Sequence, residues 1–386
     1  MLVTHVITRL IVGGAQENTV STVLGLYRHP DYSVELISGL THSDEPEGSI
    51  QNLVEGIPGL LHLIPELVRP VSPLRDLLAL NKLRRRFEET RPAIVHTHSG
   101  KAGILGRIAA RLAKVPTIIH TIHGPSFGTF QGDAPNLLFR TAERVAGRYT
   151  DRFIGVANAM NQQYLDAGIG HEALYDKVFS GFDLSPFLKS ENNSDLRRRF
   201  GLSPDDLVIG KIGRLFQLKG HDDLFTVAPS ILGRHPNAKF LLVGGGEWQA
   251  RFERLVQQRG LSGSVVFTGL VRPDEVASLI GIMDIVVHLS RREGLPRVIP
   301  QALAAGKPVV AMDSDGAREV CLNDKTGYLV PVGAVDALAD RISQLAASSE
   351  LRKRLGQEGR RFVEQEFSEA TMVQRIVAVY DRLLNS

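Results

Sequence analysis

Short apolar runs rich in β-branched residues alternate with longer segments whose apolar residues recur at helical spacing, from one end of the 386-residue chain to the other. In the first half the runs predict strands over 2–8, 34–38, 94–98, 117–122 and 152–157. In the second half they predict strands over 207–213, 239–243, 265–269, 285–290 and 308–312, with a short one near 328–330. Helical periodicity marks 15–28, 74–89, 101–113, 136–149, 219–233, 248–259, 298–305, 334–346, 350–366 and 368–384. Alternation of this kind argues for parallel sheets with helical crossovers. Runs such as KFLLVG, DIVVHLS and KPVVAM are apolar almost throughout, as strands covered on both faces are. The acidic stretch 43–56 reads as a long surface loop.

The rhythm breaks between 181 and 205, where Ser, Asn, Asp and Pro accumulate, and restarts with LVIGKIGRL. The expected fold is α/β: a Rossmann-like domain over 1–185, a second over 186–367, and a helix over 368–386 that packs back on the first. Open sheets of this type bind ligands outside the carboxyl ends of their strands. Chemistry is therefore expected in the turns that follow strands.

Composition narrows the class. Charged residues make up 23% and the net charge is +3, too balanced for a protein that coats nucleic acid. The single cysteine, Cys321, excludes an intrachain disulfide and a Cys-rich zinc site, and it fits a reducing compartment. No apolar run reaches the length of a membrane span, and the N-terminus lacks the pattern of a signal peptide. The expected location is cytoplasmic.

Several strand ends carry candidate chemistry. Gly13-Gly14 opens a helix, which is either a plain turn or a place where backbone N–H groups meet an anion. His96 and His98 lie two apart on a strand and share a face, as a metal-binding pair or a hydrogen-bonded one. Ser99 and Lys101 beside them suit an anion. His123 ends a strand, either as a structural histidine or as a partner for a ligand hydroxyl. Arg214 and Lys219 follow the strand 207–213, as solvated charges or as a pair that neutralises a diphosphate without a metal. Neither Gly13-Gly14 nor Gly244-Gly245-Gly246 completes the dinucleotide fingerprint, which speaks against a nicotinamide enzyme. After strand 285–290, Glu293 sits at a strand-to-helix turn beside Gly294, and Gln301 follows eight residues later.

Taken in order, GRLFQLKG (213–220), GGGE (244–247), FTGLV (267–271) and REGLPRVIPQALAAGKPVV (292–310) resemble the retaining glycosyltransferases of family 4. HTHSGKAGILGRIAARL and HTIHG look like the bacterial exopolysaccharide and lipopolysaccharide branch of that family. The resemblance covers nearly the whole chain. It implies the GT-B architecture, two facing Rossmann-like domains with a crevice between them. It implies a nucleotide-diphosphate sugar as donor, a glycan or lipid-linked acceptor, no metal or other cofactor, no nucleic-acid partner, and hexosyl transfer in cell-surface polysaccharide synthesis.

By the same resemblance, Gly14, next to Gly13, offers its N–H to the donor diphosphate, which Arg214 and Lys219 bind as the leaving group departs. Glu293 contacts the donor sugar, as do the N–H groups of Gly294 and Leu295, and His123 bonds the sugar hydroxyls. Gly244 lies in the donor loop and Val271 where backbone holds the nucleobase. One position departs from the pattern: Gln301 stands where the family has a second glutamate that binds ribose. Losing the charge there implies roughly tenfold weaker donor binding. Three other readings stay open. They are a nucleotide-sugar 2-epimerase of the same architecture, a catalytically weak sugar-nucleotide-binding subunit, and a metal-dependent hydrolase using His96 and His98. Segment 74–89, with Leu74, Leu77, Leu78 and Phe87 against five basic residues, reads either as an ordinary crossover helix or as a basic amphipathic helix on the inner face of an anionic membrane.

Overall fold

The computed structural model describes residues 1–41, 48–128 and 132–385. They form two compact units, Met1–Phe182 with Ser368–Ser386, and Asp183–Phe367. Unit 1 is built on β1 (Leu2–Ile7), β2 (Ser33–Ser38), β3 (Leu61–Leu63), β4 (Ile94–His98), β5 (Thr117–Ile122), β6 (Arg152–Gly155) and β7 (Tyr175–Lys177). Their order in the sheet is β3-β2-β1-β4-β5-β6-β7, with every pairing parallel. Unit 2 contains β8 (Leu207–Ile212), β9 (Ala238–Val243), β10 (Val265–Gly269), β11 (Ile285–His288), β12 (Val309–Met312) and β13 (Gly327–Val330). Their order is β10-β9-β8-β11-β12-β13, again parallel throughout. Each is a doubly wound Rossmann-like sheet. The order reverses once in each, between β1 and β4 and between β8 and β11, and those are the places where such sheets leave room for a ligand.

Period-two alternation assigns the two faces of unit 1. Val3 and Ile7 of β1 pack with Val20, Leu26, Met372 and Ile376, so that face is covered by the helices Gly14–Tyr27 and Glu369–Leu384. Val6 and Ile37 pack with Leu83, Phe87 and Ala109 on the other face, under the helices Pro73–Thr90 and Gly100–Leu112. The last helix starts because Ser368 caps it, its hydroxyl accepting from the N–H of Thr371 at 3.0 Å. It then buries Met372, Ile376, Val379 and Tyr380 at helical spacing. Unit 2 has its own core, in which Ile209, Phe240, Leu242 and Val287 meet Phe225, Phe252 and Ile342.

The elements depart from expectation where they are short. β3 and β7 have three residues each and no readable alternation. The helices Asn158–Asp166, Ser185–Leu188, Ser194–Arg199 and Val276–Gly281 were not foreseen. The loop expected over 43–56 is interrupted by the single turn of helix Asn52–Glu55, and its residues 43–47 lie outside the described ones.

Unit 1 also buries an ion pair. The Arg107 guanidinium donates to Glu143 at 2.5 Å, with both side chains fully buried. Arg107 also donates to the Gly103 carbonyl at 2.8 Å, and Ser126 donates to the other Glu143 oxygen at 2.8 Å. Glu143→Leu leaves the guanidinium buried without a counter-charge and is expected to cost about 3–5 kcal/mol in denaturant unfolding. The double variant Arg107→Met, Glu143→Leu is expected to recover most of that loss. Equal loss in both would mean that packing, not charge, sets the cost.

Candidate active site

In unit 2 the turn leaving β8 is stitched to its neighbours through the backbone. Gly213 N–H donates to the Val243 carbonyl at 3.0 Å, Leu215 N–H to Gly245 at 3.0 Å, and Trp248 N–H to Leu215 at 3.0 Å. This seats the loop Gly244–Glu247 directly on the turn. Gly244 has φ +127°, and a Cβ there would lie 2.4 Å from the Gly213 carbonyl oxygen, so no side chain fits. Gly220 ends the turn at φ +69°, where a Cβ would lie 2.1 Å from the Leu289 carbonyl oxygen. The helix His221–Arg234 begins there, with the end of β11 alongside.

Three links join the β8 turn to the loop after β11. Arg291 N–H donates to the Leu218 carbonyl at 2.9 Å, Arg291 pairs with Asp223 at 2.9 Å, and Lys219 pairs with Glu293. The loop after β12 supports the same segment. Asp315 accepts the Glu293 N–H at 2.7 Å, and Ser314 donates to the Ser290 carbonyl at 2.7 Å. Lys219 and Glu293, singled out separately in the sequence, are thus brought into contact. Arg214 lies exposed just beyond β8. Gly294 and Leu295 precede the helix Val298–Ala304, which carries the half-buried Gln301. Val271 follows β10, whose end joins the same loop, Gly244 N–H donating to the Gly269 carbonyl at 3.2 Å, and it lines a cavity of about 800 Å³ with Leu270, Thr268 and Lys189; Arg214, Lys219 and Glu293 are not among that cavity's lining residues.

Beneath this site lies a buried charged group that the sequence reading missed. Lys211, on β8, is buried, and burial pushes its ammonium down to about 7, with Lys219 adding repulsion and Glu293 and Asp223 opposing it. His288, at the end of β11, is also buried. Among the described residues neither of its ring nitrogens has a hydrogen-bond partner, and its Nε2 is 3.7 Å from a Glu293 oxygen. Burial brings His288 down to about 4, so the ring is neutral at pH 7. Burial alone would raise the Glu293 carboxyl, but His288, Lys219 and Lys211 together hold it below its ordinary value. Glu293 is therefore a fixed anion, paired with Lys219. The signal for Lys211 was present in LVIGKI, where a lysine occupies an otherwise apolar strand.

In unit 1, Gly13 precedes the helix that starts at Gly14, and Glu17 N–H closes the first turn on the Gly13 carbonyl at 2.9 Å. Its φ of 168° is extended backbone, so glycine is not required there by conformation. His123 follows β5 and is part-exposed. His96 and His98 do share a face and their rings stack at 4.5 Å between centroids, while their hydrogen bonds go to other partners. His5 of β1 lies beside them, and ligand atoms of the three come within 4.8 Å of one another. His5 Nδ1 and His98 Nε2 are 2.9 Å apart, a hydrogen bond that needs a proton where a metal ion needs both nitrogens bare. This donor set does not fit a metal as it stands. Nor does Lys101 offer its charge to an anion: it pairs with Asp76 at 2.5 Å and donates to the Pro70 carbonyl.

Known proteins give this geometry a family. The sequence model described as "Glycosyl transferases group 1" matches residues 192–362, and the "Glycosyl transferase 4-like domain" model matches 13–174. An Escherichia coli enzyme, UDP-Gal:alpha-D-GlcNAc-diphosphoundecaprenol alpha-1,3-galactosyltransferase, is 28% identical over 72% of this chain and 73% of its own. The capsular polysaccharide biosynthesis glycosyltransferase CapM of Staphylococcus aureus is 26% identical over 84% of this chain and 86% of its own. The crystal structure of Anabaena HepE with UDP and glucose aligns with a TM-score of 0.81 at 23% identity, covering 99% of this chain and 100% of that one, which shows the shared fold. The chain belongs to glycosyltransferase family 4, of the GT-B type, and is an enzyme that transfers sugar from a nucleotide sugar.

The pH dependence of Lys211 gives a check with a definite sign. Its folded value near 7 lies below the ordinary 10.5, so the unfolded chain binds the extra proton between those limits, and stability rises with pH across that window. Lys211→Met is expected to raise the thermal midpoint by several degrees at pH 6–7, and the gain should shrink toward pH 10. A gain independent of pH would show that Lys211 is not held near neutrality.

Proposed function

We propose that the chain is a retaining, metal-independent glycosyltransferase in which unit 2 holds the nucleotide-diphosphate sugar and unit 1 takes a lipid-linked or glycan acceptor. The observation that carries this is the pair of loops at the β8/β11 reversal. They place Arg214 just past one strand, tie Lys219 to Glu293, and clear side chains from the turn at Gly220 and Gly244. Breaking the anomeric C–O bond puts positive charge on the sugar and negative charge on the diphosphate. Arg214 and Lys219 stabilise the leaving diphosphate, and Glu293, kept anionic, faces the sugar. Gly294 and Leu295 add N–H groups, Gln301 accepts from ribose, and Val271 contacts the nucleobase. Within unit 1 the same reading gives Gly13 and Gly14 the role of offering N–H groups to an anion and His123 that of bonding a substrate hydroxyl. Same-face attack, with the departing phosphate accepting the acceptor's proton, retains configuration.

The acceptor reading is supported by a second cavity, of about 520 Å³, at the end of β1. It is lined by Arg9, Arg69 and Arg75 together with Thr8, Leu40 and Leu67. Three arginines over an apolar floor suit a phosphate-bearing lipid head. The helix Pro73–Thr90 divides its apolar residues: Phe87 is buried in the core, while Leu74, Leu77 and Leu78 are 71%, 55% and 44% exposed. Lys82 and Arg86 are paired with Glu66 and Glu35, so the exposed leucines, more than free basic charge, favour contact with a membrane surface. Among the described residues no helix is long and apolar enough to cross a membrane. A lipid-linked acceptor also matches the E. coli relative, whose own name specifies a diphosphoundecaprenol substrate. Synthesis of a surface polysaccharide is the setting this favours.

Arg214→Ala is expected to lower kcat about a hundredfold with a smaller change in donor KM, because the charge it meets develops on leaving. A change in KM alone would reduce it to a ground-state contact. Gln301→Glu is expected to lower donor KM roughly tenfold; an unchanged or raised KM would remove the ribose role. Both assays run with donor plus acceptor in the presence of chelator. Free sugar released without acceptor would indicate the epimerase, and activity lost to chelator would refute the metal-free mechanism.

A further inference from the structure

An imidazole buried with both nitrogens idle costs stability, and His288 in unit 2 is one. Its Nε2 lies 3.7 Å from Glu293 Oε2. That is too long for a hydrogen bond, and a small turn of either side chain closes it. The other carboxylate oxygen, Oε1, is taken by Lys219. One carboxylate thus lies between two holders. Its backbone is pinned separately, since Asp315 accepts the Glu293 N–H at 2.7 Å, so only the side chain has to turn. The Lys219 and Glu293 side chains are 27% and 24% exposed, whereas that of His288 is 4% exposed. Lys219 is the holder that is able to leave.

Three charged groups act on the ring. Glu293 draws a proton to it, while Lys211 of β8 and Lys219 of the β8 turn repel one. Lys211 is the one titratable residue of β8, and β12, paired on the other side, has none. The helix Val298–Ala304, packed on β11, has none either. The helix Val335–Ala347 also packs on β11, but its Asp336 and Asp340 are exposed and its Arg341 lies over the Tyr328 ring at 4.6 Å. Burial and the two lysines hold His288 at about 4 against the pull of Glu293. An ionised carboxylate only accepts, so any bond between the two has His288 Nε2 as its donor. With Lys219 on Oε1, the charge of Glu293 is already met. Without Lys219, the carboxylate has an idle imidazole beside Oε2 and Lys211 as the remaining cation.

We propose that Glu293 passes from Lys219 to His288 when an anionic ligand draws Lys219 away, and that His288 is the positioning residue that then holds the carboxylate through an Nε2–H···Oε2 bond. The kinetic consequence rests on the reading that Lys219 meets the diphosphate and Glu293 the sugar; the hand-over itself does not. In the free protein Lys219 and Glu293 neutralise each other. In the complex they act apart, Lys219 on the diphosphate and Glu293, held by His288, on the sugar. The unmet bonding of the ring in the free protein is the counterpart of the bond it makes in the complex.

The test is the titration of His288, followed by ¹H–¹⁵N correlation on ¹⁵N-histidine protein and assigned through His288→Gln. In ligand-free Lys219→Met its pKa is expected to rise by about 1–3 units, the effect of an unpaired carboxylate at that distance. Most of that rise is expected to vanish in Lys219→Met, Glu293→Gln. An unmoved His288 in the single variant overturns the proposal. So does an equal rise in the double variant, which would come only from the lost lysine charge. Saturating inorganic pyrophosphate in chelator is expected to raise His288 in the wild-type chain as well. A rise in Lys219→Met with none under pyrophosphate would uphold the hand-over and refute the contact between Lys219 and a diphosphate. In turnover, His288→Leu is expected to lower kcat about tenfold with little change in donor KM and no loss of thermal midpoint. His288→Gln, whose amide stands in for Nε2–H, is expected to recover most of that loss. Equal losses in the two, or an unchanged kcat in both, would overturn the positioning role.

Discussion

In a parallel sheet every strand delivers its chain to the same edge, and helices cover both faces. Only where the strand order reverses do adjacent connections leave toward opposite faces and open a gap between them. Each unit of this protein has one such reversal, β1/β4 and β8/β11, and the unusual residues gather there. The β8/β11 gap holds Arg214, Lys219 and Glu293. The β1/β4 gap holds the buried histidines, with an arginine-lined cavity at the end of β1. These two openings are where the proposed function puts the chemistry.

Electrostatics in unit 2 follows from placing several cations around one carboxylate. Lys219 pairs with Glu293 while Lys211 sits buried below. That arrangement keeps the carboxylate ionised, and on the proposed reading a departing diphosphate would meet the cations beside it. Asp315 supports it indirectly by holding the Glu293 backbone, a contact made by a residue 22 positions away in sequence. Unit 1 works by the opposite means. Its histidines are neutral and its buried tyrosine protonated, so hydrogen bonds, not charge, order them.

Much of this was legible in the chain because the relevant signals are local. KFLLVG and DIVVHLS read as buried strands because they are apolar almost throughout, and both contain strands. The turn at 213–220 and the segment at 292–310 announced themselves through glycine and fixed charge beside strand ends. β3 and β7 did not, because three residues cannot show a period. Nor did the short helices, of four to nine residues, whose apolar residues are too few to mark a face. His96 and His98 were visible as a pair facing one side, but their partners depend on which strands are neighbours. His5 joins through the β1/β4 register and Tyr380 arrives from 284 residues beyond His96. Lys211 was passed over because a lone lysine in an apolar strand looks like an interruption until its neighbours across the sheet are known.

The most direct test of the account is the affinity of the full chain for a nucleoside diphosphate against the matching nucleoside monophosphate, measured calorimetrically in excess chelator. If Arg214 and Lys219 grip a pyrophosphate without a metal, the diphosphate binds at least tenfold more tightly and the preference fades as salt is raised. Equal affinities, or a diphosphate preference that appears only when a divalent cation is restored, would contradict it.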